Sequence, residues 1–423
     1  MTVAGNGNTT ISGNVTASSA VTGADHDLTK TGTGTLQITS TGATVDGNLN
    51  VNGGTVQITD FRSVNMHSAS TTPGVINIGT SGTAGTLTIG TATAATAAGL
   101  TLAATKAINL AGTTGGATIN ANQAGANPVI IGTIGTTGAG AKTLTLGGTS
   151  TTADNLISGA IADNGVVSLT KTDAGTWVLS GANTYTGATT ISGGTLKLTA
   201  NAAASTILAD TSALTFNANT ATGSAGGALR FTGVSGSATT ESLGALTPTA
   251  GPGVVTLVSG DGGTSAANLA FASLGATTAA SSVNFVTTGA GSGLVTLTGQ
   301  TATTATDLPG TANFRGHLYI NGADFAAINS SAQVITPVYG TTTGFVNAAT
   351  SLTAANHNLL TGSFTSGAVT GGITSLKMGS QTLTLSGNLT VNLGAILQSG
   401  GTATIQSNSA TARTIVGSAA GVN

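Results

Sequence analysis

Residues 44–58 read Thr44-Val-Asp-Gly-Asn-Leu-Asn-Val-Asn-Gly-Gly-Thr-Val-Gln-Ile58, and residues 184–198 read Thr184-Tyr-Thr-Gly-Ala-Thr-Thr-Ile-Ser-Gly-Gly-Thr-Leu-Lys-Leu198. The two align without a gap. Upstream of each, Leu28-Thr-Lys-Thr-Gly-Thr-Gly-Thr-Leu-Gln-Ile38 matches Leu169-Thr-Lys-Thr-Asp-Ala-Gly-Thr-Trp-Val-Leu179, with one extra residue in the second copy. Within each copy, short runs of alternating apolar and polar residues begin about 20 residues apart. Their starts lie at 36 and 56, and at 177 and 196. Alternation over so few residues describes a half-buried strand. The Gly-Gly pairs between strands supply the backbone that a tight corner needs. One such coil cannot bury its inner face alone, so the coils must stack into a parallel β-helix.

The same texture extends outward. Thr86-Leu-Thr-Ile89, Thr143-Leu-Thr-Leu146, Thr382-Leu-Thr-Leu385 and Asn388-Leu-Thr-Val391 are further strand words, with weaker echoes at 8–17 and 380–398. The pattern predicts an all-β chain, a β-solenoid with a period near 20 residues and loop excursions. Inward positions take Val, Ile, Leu and Ala, and Thr and Asn stack in ladders outside. At a rung spacing of about 4.8 Å, roughly 20 coils give a rod on the order of 100 Å. Residues 1–304 are expected to form the rod, with an excursion near 61–75. Residues 90–127 are Ala/Thr/Gly-rich and suggest thin coils. Residues 305–350 read as an aromatic-richer insertion or flap, and 351–423 as a continuation of the solenoid.

Composition removes several classes. Charged residues are 5 % of 423, with ten Lys+Arg, twelve Asp+Glu and a net charge of -2. Ten scattered cations cannot make the basic footprint of a nucleic-acid binder. Charge-driven disorder is excluded by the low charge and a mean hydropathy of +0.32. No apolar run approaches the roughly 20 residues of a membrane helix. Cys is absent, so there is no disulfide framework and no thiolate metal site. The first residues show no basic segment followed by an apolar stretch, so no signal peptide is visible. A processed or excised piece of a larger protein is the expectation.

The words Leu169-Thr-Lys-Thr-x-x-Gly-Thr-Trp-x-Leu-Ser-Gly-x-Asn-Thr-Tyr-Thr-Gly187 and Ile191-Ser-Gly-Gly-Thr-Leu196 carry a specific resemblance. Residues 153–198 resemble the passenger-associated transport repeat of bacterial autotransporters, and 28–60 resemble a degenerate copy. The matching positions are Lys171, Gly175, Trp177, Tyr185, Gly193 and Gly194. The resemblance implies a right-handed parallel β-helix exported through an outer membrane and displayed outside the cell. The C-terminal membrane barrel of that family is not seen in the sequence. Residues 74–90 are similar in style to bacteriophage fibre shafts.

Candidate sites are sparse. A β-helix lyase or hydrolase needs clustered acids with a base or cation on one face. Two sets come nearest: Asp25, Asp27 and His67, and Arg315, His317 and Asp324. Alternation across Asp25-His-Asp27 puts both carboxylates on one side, as a cation site or as a polar corner. The His residues are isolated, with no ligand-spaced pair. Gly138-Ala-Gly-Ala-Lys-Thr143 lacks the glycine and helix of a phosphate loop. Trp177 and Tyr185 read either as a stack on the rod or as core. Phe314, Arg315, His317, Tyr319, Asp324 and Tyr339 form the best candidate surface patch, against the bland reading of a cap over an exposed flank.

These readings converge on an extracellular, non-enzymatic structural protein of the bacterial cell surface, without cofactors and without a membrane-spanning segment. It would act as a fibre subunit, adhesin shaft or spacer. Its expected partners are copies of itself, through end-to-end or strand-donating contacts, and surface glycans or a neighbouring cell. A carbohydrate-active β-helix enzyme and a phage-type fibre shaft are the alternatives.

Overall fold

The computed structural model describes residues 1–16, 26–43, 47–66, 74–90, 97–201, 206–218, 226–261, 264–275, 281–288, 293–299, 317–337, 340, 345–367, 369, 372–408 and 413–417. Short strands follow one another around a coil, and each pairs in parallel with the strand one coil away. Three faces result. The first runs from Thr2–Val3 through Leu28–Lys30, Leu49–Val51, Ile76–Ile78 and Ile108–Leu110 to Ile134–Thr136. The second comprises twelve strands, from Thr9–Ile11 to Val295–Leu297. The third runs from Ile130–Ile131 to His317–Ile320. The 20-residue strand Thr239–Val258 turns the corner, pairing first on the second face and then on the third. The structure is thus an all-β parallel β-helix, and no described helix is long and apolar enough to cross a membrane.

Alternation decides what points inward. On the second face Leu36, Val56, Leu87, Ile119 and Leu146 stand directly above one another, and each is 0 % exposed. Each such side chain contributes about 1.5–3 kcal/mol by leaving water. The outward neighbours form one column of nine threonines: Thr35, Thr55, Thr86, Thr118, Thr145, Thr170, Thr190, Thr215 and Thr247. β-branched side chains suit this pleated, half-buried surface. On the first face the outward column is an amide ladder. The Nδ2 of Asn109 donates to Asn77 Oδ1 at 3.1 Å, Asn77 to Asn50 at 2.8 Å, and Asn50 to Asp27 Oδ2 at 2.9 Å. A chain of amides donating in one sense ends well on an acceptor-only carboxylate.

The period differs from the expected 20. One coil is 20 residues between Gln37 and Gln57, 27 between Asn50 and Asn77, and 32 between Asn77 and Asn109. The strands keep their length and register, and the corners absorb the extra residues, because a surface loop lengthens at small cost. Fewer, longer coils make a shorter object: twelve rungs on the second face span about 50 Å. The 61–75 excursion is also partly internal. Phe61–Val64 is a 3₁₀ turn capped by Asp60, and Phe61, Val64 and Met66 are buried in the core.

The two copies of the repeat do not occupy the same faces. In the first copy Leu28–Lys30 lies on the first face and Thr35–Ile38 on the second. In the second copy Val167–Lys171 lies on the second face and Thr176–Leu179 on the third. The text has advanced by one face, yet the threonine column runs unbroken from Thr35 and Thr55 in one copy to Thr170 and Thr190 in the other. The faces are interchangeable because each asks for an apolar residue at alternate, inward positions.

The first stack ends by reversing strand direction. Tyr319 pairs antiparallel with Phe325, Ala327 with Ile335, and Gln333 bridges antiparallel to Thr296. The end of a solenoid exposes unpaired backbone, and this hairpin covers it. So the described part of 305–350 joins the rod: Leu318, Ile320, Ile328 and Val334 belong to its core. A second parallel stack follows, from Phe345–Ala348 to Ile415–Gly417, with its own cluster around Leu360, Ile373, Leu376, Leu383 and Val391.

Each stack holds a buried group whose shifted pKa lies between about 4 and 7. Glu241, the only glutamate, points inward and accepts from Ile207 N–H at 3.0 Å and Leu208 N–H at 2.7 Å. Burial pushes it up to about 7, against the pull of those bonds. His357 in the second stack, with Nδ1 2.6 Å from Ser375 Oγ, is held down to about 4 by burial. The signs are opposite. Protonating Glu241 between about 7 and 4.5 favours the folded first stack, whereas protonating His357 below about 6.5 favours unfolding of the second. Acidification from about pH 7 to about 4.5 should therefore raise hydrogen-exchange protection around 207–241 and lower it around 357–375. Mass-spectrometric exchange, corrected for intrinsic rates, checks both together, and Glu241→Gln should flatten the first response.

Candidate functional site

The repeat corner concentrates most of the specific chemistry. Lys171 occupies an inward position, in column with Leu146 and Ile191, where alternation calls for an apolar residue. Its stem lines the core and its ammonium turns back under the corner. There Nζ donates to the carbonyls of Thr172, Asp173 (3.0 Å) and Gly193 (3.2 Å). Burial lowers its pKa to about 8, which still leaves roughly nine-tenths ammonium at pH 7. Desolvation outweighs the attraction of Asp173, yet the group remains charged at neutral pH and can serve all three carbonyls. Lys30 repeats the device in the first copy, donating to Thr31 and Gly32 carbonyls.

The glycines shape that corner. Gly194 has φ +61°, and a Cβ there would lie 2.3 Å from Asp173 O and 2.5 Å from Gly175 O. Gly54 has φ +65° and the same conflicts with Gly32 and Gly34. A Cβ on Gly175 would approach Ser150 O to 2.8 Å. Asp173 itself is left-handed, at φ 55°, and its Oδ2 accepts Gly148 N–H at 2.8 Å from the preceding coil. That bond offsets the strain of a non-glycine residue there.

Both repeat aromatics are core. Trp177 is 0 % exposed and donates Nε1–H to Gly147 O at 2.9 Å. Tyr185 is 1 % exposed, with its hydroxyl 2.7 Å from Thr189 Oγ1 and its pKa pushed up by burial. Asn183 staples three coils: its Oδ1 accepts Ile161 N–H at 2.8 Å and its Nδ2 donates to Ile207 O at 2.8 Å. Sequence reading assigned no role to Asn183, Lys30 or Glu241. The signal was available for the last two, since both fall on inward positions of alternating strands.

Of the residues proposed as a surface patch, the structure describes the side chains of Tyr319 and Asp324. Phe314, Arg315 and Tyr339 lie outside the described residues, and so does the side chain of His317. Tyr319 is half-buried, its ring 5.7 Å from that of Phe325. Asp324 was expected on the surface and is 7 % exposed. Its carboxylate meets Lys377 Nζ of the second stack at 2.5 Å, because a carboxylate taken from water there needs a cation. Phe325 approaches the His357 ring at 5.8 Å. These contacts make 324–325 the joint between the stacks.

The acidic sets fare similarly. Asp25 and His67 lie outside the described residues. Asp27 serves the amide ladder, its Oδ1 accepting Asn48 N–H at 2.7 Å. Among the described residues no three His, Asp or Glu side chains converge on a metal-sized site. The Asp261 carboxylate takes Ser259, Thr264 and Ser265 as donors, which hold it far below the usual carboxylate range and staple its own turn.

Comparison with known proteins agrees with this geometry. The family model described as the passenger-associated-transport-repeat matches residues 28–58 and 169–198, the two segments whose corners are built alike. A stretch of 60 residues is 50 % identical to the adhesin BmaC autotransporter of Brucella suis biovar 1 (strain 1330). The match covers 14 % of this chain and 2 % of that adhesin, so the chain spans a small fraction of that relative's length. No solved structure matches. The chain thus carries two segments that match the passenger-associated transport repeat, and it is similar in these to autotransporter passengers.

Substitutions separate the parts of the corner. Gly194→Ala should cost more than about 2 kcal/mol, because the left-handed backbone and the two carbonyls conflict with Cβ together. Gly7→Ala, with nothing within 4 Å, should stay within about 0.5 kcal/mol. Lys171→Met keeps the stem but leaves three carbonyls unpaired, at about 1–3 kcal/mol. Denaturant melts followed by Trp177 fluorescence measure all three.

Proposed function

We propose that this chain is part of the shaft of a surface-displayed, adhesin-type protein: an extracellular, non-catalytic β-solenoid of the bacterial cell surface that associates with copies of itself. The observation that supports it most is the disposition of the rare reactive side chains. Lys30, Lys106, Lys142, Lys171 and Glu241 are buried within the coils, and Asp27 and Asp324 are engaged in structural contacts. The long outer columns are threonine and asparagine. Glu241, the acid whose pKa is raised, is 0 % exposed and occupied by two backbone N–H groups, out of reach of a substrate, whereas a neutral, polar, repetitive rod suits display and spacing. The likeness to a Brucella autotransporter adhesin supports the same reading. Association is favoured by a net charge of only -2, which opposes close approach weakly.

Surface display is tested by protease shaving of intact cells of the source organism. The expected result is release of peptides from this chain before any cytoplasmic marker, and retention inside intact cells would contradict it. Self-association is tested by sedimentation velocity and negative-stain microscopy over a concentration series. Growing oligomers or fibres are expected. A monomer at every concentration would remove the self-association, and a fixed trimer would favour a phage-type fibre instead.

A further inference from the structure

The third face breaks the rule of the other two. Its outward column runs Leu156, Val178, Lys197, Arg230, Thr256 and Val286. Beside it stand Ala228 and Val254. In the first stack, among the described residues, Lys197 and Arg230 are the cations on outward strand positions. The lysines at 30, 106, 142 and 171 are buried, and Arg62 is paired with Asp60. Lys197 and Arg230 are direct register partners, about 4.8 Å apart in rung spacing. Like charges side by side on a sheet cost stability. A chain with ten Lys+Arg in 423 residues nevertheless places two of them together here. Arg230 is exposed. Asp154 Oδ2 reaches Lys197 Nζ at 3.1 Å, straddling the strand that carries Val178.

We propose that this strip is a docking surface for an acidic polysaccharide. Lys197 and Arg230 would take the carboxylate or sulfate groups, and the half-buried Val254 and Thr256 on the next rung would take the sugar rings beside them. Two adjacent cations flanked by small apolar side chains complement a polymer that alternates anionic groups with C–H faces. Asp154 competes with the ligand for Lys197. The proposal rests on the surface-shaft reading for its biological setting, but it is tested on the purified chain, so a negative result leaves surface display untouched.

The test is binding of polygalacturonate to the whole chain, with neutral dextran as the control, at about 0.02 M and about 0.5 M salt. Retention of polygalacturonate at low salt, its loss at high salt and no retention of dextran are expected. Lys197→Gln with Arg230→Gln should weaken binding at least about ten-fold. Asp154→Asn, which frees Lys197 with little change in shape, should tighten it by up to about five-fold. The proposal is overturned if the unaltered chain ignores polygalacturonate or binds dextran equally well. It is also overturned if the double variant binds as before, or if the variants change sedimentation of the chain alone, which would make the strip a contact between copies. Should the double variant fail to fold, the Asp154→Asn arm decides: unchanged or weaker binding rejects the site.

Discussion

Parallel pairing of each strand with its counterpart one coil away is the constraint on which the rest of the structure depends. A rung spacing of about 4.8 Å brings every inward side chain against the same position above and below. The core is therefore a set of columns, and any residue out of character is felt by two coils at once. Leu36, Val56, Leu87, Ile119 and Leu146 meet the demand directly. Outside, the same spacing lets Thr and Asn stack as ladders, which satisfies polar groups without charge and explains how a 423-residue chain folds with 5 % charged residues.

The corners are where this regularity must be reconciled with a closed coil. Carbonyls converge there, out of reach of the parallel ladder, and a buried polar group needs a partner. Lys30 and Lys171 supply an ammonium from inside, Gly54 and Gly194 supply the left-handed backbone, and Asp173 supplies a bond to the coil below. Glu241 and Asn183 complete coils whose backbone donors or acceptors face no strand. The scarce ionisable residues are thus consumed by construction. That is why the outward pair Lys197 and Arg230 stands apart from them.

Much of the fold was legible in the sequence because alternation and Gly-Gly corners are local. The strands Thr35–Ile38, Gly54–Ile58, Thr176–Leu179 and Gly194–Thr199 follow from their residues alone. The variable coil length was not legible, since corner loops lengthen without altering the strands they join. Nor was the shift of the repeat by one face, because the three faces impose the same inward chemistry. The Asn50–Asn77–Asn109 ladder and the Asp324–Lys377 pair were hidden for another reason: their partners lie 27, 32 and 53 residues apart. From the proposed aromatic patch, Tyr319 and Asp324 belong to the cap and joint that end the first stack. An isolated cluster of Tyr, Phe and acidic residues reads the same in sequence whether it faces water or a neighbouring stack.

The central claim is the coil register that carries the threonine column across the two repeats, and engineered disulfides test it most directly. The chain has no cysteine, so a pair introduced at Thr145 and Thr170, register partners on adjacent rungs, reports on one contact. Parallel neighbours bring Cα atoms within the reach of a disulfide. The account predicts that Thr145→Cys with Thr170→Cys closes rapidly under mild oxidation in the folded chain, while Thr145→Cys with Thr195→Cys stays reduced. Closure of the second pair, or failure of the first in a folded protein, would contradict the register and with it the stacked-coil account.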